Sequence, residues 1–255
     1  MKFFAKGLVG CALSLILVIP STAAFAADEK THKLVPESGS AIILTNVEYT
    51  ELPDNGSKIR ITGSGKANEK QTFKIEINRE KGTYKTIPEE RKQEKQDKKS
   101  VGIYSTPLVK TPLLASNETF HSAKVKLLTV DPPQADLCYT QNELNWKTYL
   151  DGSYWYNDVT SSYVTYWAAN PSTLLTHWFV DNYGGSWTKD NNTQDINHNV
   201  YGYYHNYDFQ DNNLRTDVQQ NVTVIGKKFG EFTYDTSAYT YGEYEYLLTH
   251  HIQVN

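Results

Sequence analysis

Cysteine is nearly absent from this chain. Of its two residues, Cys11 falls in an N-terminal apolar stretch and only Cys138 lies beyond it. One remaining thiol excludes an intramolecular disulfide, so the fold must be held by its core. Cys138 sits in Asp136-Leu137-Cys138-Tyr139 with no nucleophile signature beside it, which reads as a buried strand cysteine. Helical periodicity is missing too: almost no window repeats apolar residues at helical spacing. There is no G-x-S-x-G elbow, and Gly63-Ser64-Gly65-Lys66 lacks the upstream glycine and following Ser/Thr of a phosphate loop. Nucleophilic catalysis therefore has no motif behind it.

Unopposed positive charge is also lacking. The net charge is −4, and from Asp131 onward five Lys/Arg face fifteen Asp/Glu. Residues 89–99 carry nine charges in eleven positions, but of both signs and without an apolar residue. Phosphate binding needs positive charge that is not cancelled locally. The segment reads as solvated chain, and no nucleic-acid partner is expected.

Long apolar runs are confined to the N-terminus. Lys2 and Lys6 precede the apolar stretch Leu8 to Ile19, Pro20 breaks it, and Ala24-Phe25-Ala26 supplies small residues at −3 and −1. This pattern predicts a signal peptide over residues 1–26 with cleavage after Ala26. The run is shorter than the roughly 20 residues that cross a bilayer. Cys11 stands before the apolar core rather than after it, so no lipid anchor is expected. The mature chain is expected outside the cell, with no transmembrane segment.

What remains is rich in strand signals. Residues 27–130 read as a polar tail and a small β-meander. Pro53-Asp54-Asn55-Gly56 is a turn, and Ile59/Ile61 and Phe73/Ile75/Ile77 alternate with polar residues. Asp131-Pro132-Pro133 is the preferred boundary. Residues 131–255 hold sixteen of the nineteen tyrosines and all five tryptophans. Val218, Gln220, Val222 and Val224 alternate with Gln219, Asn221 and Thr223, and Tyr239 to Leu248 reads as strand. The fold class is all-β, an antiparallel sandwich or barrel-like architecture.

Large aromatics by default pack in cores, as expected of Trp146, Tyr166 and Trp178. The exceptions are rings in polar surroundings: Trp155 after a turn, Trp187 between Gly184-Gly185-Ser186 and Asp190-Asn191-Asn192, and Tyr203, Tyr204 and Tyr207 among amides and carboxylates. Such rings stack on the C–H faces of sugars while neighbouring amides and acids bond the hydroxyls. The first functional expectation is thus a secreted, non-catalytic binder of polysaccharide or cell-envelope polymer. A second is a polysaccharide hydrolase using Glu243, Glu245, Asp208 or Asp211. Glu243 and Glu245 are two apart on an expected strand and so on one face, as a pair of glycosidase carboxylates could be. A third is a β-rich surface-acting toxin. Asp190 to Asp195 and Asp208 to Asn213 offer oxygens that suit Ca²⁺, without the spacing of the helical Ca²⁺ loop. His198 and His205, seven apart, would lie on opposite faces of a straight strand, so no metal site is expected from them.

Overall fold

A computed structural model describes residues 29–67, 71–88, 102–105, 117–131, 135–169, 177–210 and 214–255. The leader with its Ala26 cleavage position, the charged segment 89–99 and Asp211 lie outside the described residues. In chain order the strands are β1 (Lys30–Lys33), β2 (Val35–Pro36), β3 (Asn46–Leu52), β4 (Gly56–Lys66) and β5 (Gln71–Asn78). Then come β6 (Thr83–Pro88), β7 (Gly102–Ser105), β8 (Glu118–Asp131), β9 (Ala135–Asp151) and β10 (Tyr154–Ala168). The set ends with β11 (Phe179–Lys189), β12 (Ile196–Asn206), β13 (Thr216–Gly226), β14 (Glu231–Tyr241) and β15 (Thr249–Val254).

Two sheets result. Seven strands run in the order β1-β3-β4-β14-β13-β12-β11, and eight in the order β2-β6-β5-β15-β8-β9-β10-β7. Among the described strands every pairing is antiparallel except that of β2 with β6. The sheets pack face to face as a β-sandwich without closing into a barrel. Strands from before and after Asp131 are neighbours in both sheets, so one sandwich is shared along the chain. Among the described residues no helix is long and apolar enough to cross a membrane.

Two-residue periodicity builds this arrangement. In β13, Val218, Gln220, Val222 and Val224 are buried while the residues between them are half-exposed. Trp146, Leu127, Phe232 and Ile252 complete a core drawn from both sheets. Cys138 is fully buried in a second cluster with Leu137, Tyr204 and Phe209, and burial pushes its thiol pKa up. The core also carries polar pairs. Asn142 donates from Nδ2 to the carbonyls of His198 (2.7 Å) and Val222 (2.9 Å), leaving its Oδ1 to accept from His198 Nδ1 at 2.7 Å. Gln220 donates to Thr129 Oγ1 at 2.8 Å, and the same hydroxyl shares a hydrogen bond with His250 Nδ1 at 3.1 Å.

The turns match the sequence in place and differ in detail. Positive φ at 53–56 is taken by Asp54 and Asn55 (58° and 54°) rather than Gly56, which opens β4. The expected strand from Tyr239 to Leu248 is broken: β14 stops at Tyr241, a 3₁₀ turn spans Glu245–Leu247, and β15 starts at Thr249.

Gly63 shows why a strand interior carries glycine. Its cross-strand partner is Tyr234, whose ring lies across the space a Cβ would fill. A bulky ring covering a strand glycine pins the register of the pair. Gly63→Ala should lower the unfolding free energy by about 1–3 kcal/mol, the range for forcing a methyl group into a packed site. Urea titration measures this, and an unchanged midpoint would show that the ring moves aside freely.

Candidate functional site

Strand register gathers a site at one end of the seven-stranded sheet. Phe179 pairs with His205, His205 with Asp217, Asp217 with Tyr241, and Tyr241 with Gly56. Cross-strand partners share a face, and here it is the outer one. Neighbours in the row that lie from 12 to 185 residues apart in sequence thereby meet across five strands.

Rings dominate the first half of the row. His177 stacks on Phe179 (6.3 Å between centroids, 12°), and Phe179 on His205 (5.1 Å, 17°). Tyr207 meets His205 edge-on at 4.9 Å. Phe179 and Tyr207 are 48% and 51% exposed, so both rings stand at the surface.

Charged groups interleave with the rings. Asp181 falls at a register shift between Val180 and Asn182. A bulge of this kind re-aims a side chain, and here Asp181 Oδ1 lies 2.6 Å from His205 Nδ1 and its Oδ2 lies 3.6 Å from Arg215. The Asp181–His205 approach is close but poorly aligned for a hydrogen bond. Arg215 forks onto Asp217, with Nε at 2.8 Å and Nη2 at 2.6 Å from Oδ1, and donates from Nη1 to the Tyr207 hydroxyl at 3.2 Å. The Asp217 bond holds the Arg215 pKa above its ordinary value. Asp208 accepts the His177 backbone N–H at 3.1 Å, and its Oδ2 lies 3.1 Å from His177 Nδ1.

Past Tyr241 and Gly56 the row opens into a shallow cleft of about 600 Å³ lined by Glu51, Asp54, Asn55, Glu243, Glu245 and Tyr246 among others. Glu243 and Glu245 are neighbours here, but in a turn and 3₁₀ segment rather than on one strand face. Gly242 (φ 127°) ends the strand just before them. Glu245 is a strut: Arg79 grips both oxygens at 3.1 and 3.2 Å, and Ser57 donates to Oε2 at 2.5 Å. Arg79 in turn lies 4.4 Å over the Tyr49 ring. Burial opposes the Arg79 charge, and Glu245 overcomes that, so its pKa sits above the ordinary value.

The remaining expected residues separate. Tyr203 lies on the outer face, half-buried beside Tyr201 at 5.4 Å. Its neighbour Tyr204 is a correction: it is 1% exposed, and its hydroxyl bonds the Tyr139 carbonyl at 2.5 Å and Thr140 Oγ1 at 2.8 Å. Both belong to β12, not a loop, and adjacent strand residues face opposite ways. Trp187, the partner of buried His198, faces inward on the edge strand β11. Trp155 stands at the opposite end of the sandwich. Asp190, a candidate Ca²⁺ ligand, accepts the backbone N–H groups of Asn192 (2.6 Å) and Thr193 (3.0 Å), which lowers its pKa and makes it a turn cap. Among the described residues no group of three or more His, Cys, Asp or Glu is arranged to hold a metal.

Phe179, Asp181, Arg215 and Asp217 stand in no sequence motif; only the register joins them. Each carboxylate has about four acceptor positions, so those in the row retain capacity after their internal bonds. The arrangement offers exposed rings, acceptors and one guanidinium on an open surface. Comparison with known proteins returns no matching family model, no matching curated protein and no matching solved structure.

Proposed function

We propose that this is an exported, non-catalytic binding protein whose ligand is a polyhydroxylated polymer, a glycan of the cell envelope or extracellular matrix. The observation that supports it is the convergence of Phe179, His205 and Tyr207 with Asp181, Asp217 and Arg215 on one open face. Flat rings match the C–H faces of sugars, and carboxylates accept from their hydroxyls. A small molecule is ordinarily enclosed in a concave pocket, whereas an open row running into a shallow cleft suits an extended chain. Hydrolysis would need a carboxylate available for proton transfer, and Glu245 is committed to Arg79 and Ser57.

Sedimentation with insoluble polysaccharides and purified cell-wall material tests this. Tyr207→Ala and Phe179→Ala should each weaken retention roughly tenfold, the scale of one lost ring contact, with the circular dichroism spectrum unchanged. Trp187→Ala should not change retention. An intact protein retained on none of these materials would remove the proposal.

A further inference from the structure

At the end of the sandwich away from the row, aromatic rings stand in solvent. Tyr154 is 72% exposed and Phe229 64%, with Trp155 beside them. Trp155 and Phe229 meet edge-on, 5.1 Å between centroids. Phe229 also has φ 63° and ψ 22°, a left-handed backbone that favours glycine and is uncommon for a bulky side chain. The chain therefore holds a large apolar ring in water on a backbone that resists it. Such an outlier is a pointer to function.

The turn that presents Phe229 is pinned on both flanks. Trp146 Nε1 donates to the Lys227 carbonyl at 3.0 Å, and the Ala67 N–H donates to the Gly230 carbonyl at 2.7 Å. Gly230 packs so tightly that a Cβ there would lie 2.7 Å from His121 Nδ1. The ring is thus displayed by a fixed turn.

Its flanks are cationic. From Asp131 onward there are five Lys/Arg. Lys147 is paired with Glu118, Lys189 with Asp158 and Arg215 with Asp217. The other two, Lys227 and Lys228, stand beside Phe229 and form no ion pair with a described residue. Lys66 and Lys227 also line a shallow groove with the hydroxyls of Ser64 and Thr233. Besides the paired Glu118 and Asp158, the acids at this end are Asp151 at the β9–β10 turn, Glu231, which lines the same groove, and Asp190 and Asp195 of the β11–β12 turn. Asp190 is held by backbone N–H groups of its own turn.

We propose that the Lys227–Gly230 turn and the Tyr154–Trp155 hairpin dock on an anionic lipid surface, the rings entering the headgroup boundary and the lysines facing lipid phosphates. Aromatic rings and lysines together are the chemistry of the membrane interface. Protein–protein interfaces are enriched in rings but depleted in lysine, which disfavours a protein partner. The surface lies apart from the glycan row and does not depend on it.

Co-sedimentation of the full chain with two kinds of vesicle tests it. One is phosphatidylcholine alone, and the other is a mixture with one third phosphatidylglycerol. The protein should sediment with the mixed vesicles at low salt and poorly with the neutral ones. Phe229→Gly should keep the fold, because glycine favours that backbone, and should lower binding at least about tenfold, the scale of one apolar ring leaving the boundary. Lys227→Gln with Lys228→Gln should bring binding to the neutral-vesicle level. No sedimentation with mixed vesicles, equal sedimentation with both kinds, or unchanged binding by Phe229→Gly would each overturn the proposal.

Discussion

Lowering the pH from 8 to 5 should cost this protein about 4 kcal/mol of stability through two buried histidines, at about 1.4 kcal/mol per unit each below their unfolded pKa. Desolvation holds the pKa of His198 down to about 4 and that of His250 down to about 3. In the unfolded chain both titrate near 6.5. Between those values the unfolded state takes up protons that the folded state refuses, so acid favours unfolding. The stability is complete above about pH 6.5, falls as pH drops below it, and stops falling once the folded pKa values are passed.

The hydrogen bonds show why the folded state refuses the proton. Asn142 spends its amide hydrogens on two carbonyls, so His198 must carry its hydrogen on Nδ1. A second proton would have to sit on Nε2 inside the core. His250 is buried with Nδ1 against the Thr129 hydroxyl, so a second proton would place an unpaired charge inside the core. Urea unfolding at pH 8, 6.5, 5.5 and 5 measures the slope, which approaches two protons per molecule. His250→Gln, which keeps a neutral partner for Thr129, should reduce it by one. A free energy flat between pH 6.5 and 5 would show that the imidazoles are solvated in the folded state.

The largest single-residue loss is expected at Trp146. It is fully buried and is the largest such side chain, and its Nε1 anchors the Lys227 carbonyl. Trp146→Ala should cost about 3–5 kcal/mol. Trp146→Phe keeps most of the packing and removes the donor, which should cost about 1–3 kcal/mol for the stranded carbonyl. The difference between the variants separates cavity from hydrogen bond. If alanine cost under about 1 kcal/mol, the site would be collapsing around the missing ring.

How far the sequence reveals this molecule depends on the distance over which each feature is encoded. Alternation along Val218 to Val224 identifies a strand and its inner face because both are local properties. Cys138 and Trp146 are recognisable as core for the same reason. The hairpin at Asp151-Gly152 is local too, and Gly152 has φ 61°. The row of Phe179, His205 and Asp217 is not local. It depends on which strands are neighbours and in what register, and alternation fixes neither. Tyr203 and Tyr204 illustrate the boundary: placed in a loop, both are surface candidates, whereas placed in a strand, one of them must turn inward. Phe229 lies beyond reach in another way, because the glycine beside it suggests a turn without indicating that the preceding phenylalanine also takes a left-handed backbone.

The position of β15 governs when the sandwich can exist. Of the described strands it is the last to be made, yet it lies inside the eight-stranded sheet, bonded to β5 on one side and β8 on the other. The seven-stranded sheet waits as well, since β4 needs β14, and the Arg60–Asp235 bond there spans 175 residues. Neither sheet can be completed by a partial chain, and distant pairings of this kind form slowly because loop closure precedes any gain in contacts. A growing chain therefore cannot complete either sheet until β14 and β15 have arrived, and a polypeptide that threads a secretion channel must be in such an open state. For a protein exported as proposed, the topology itself delays folding until after passage.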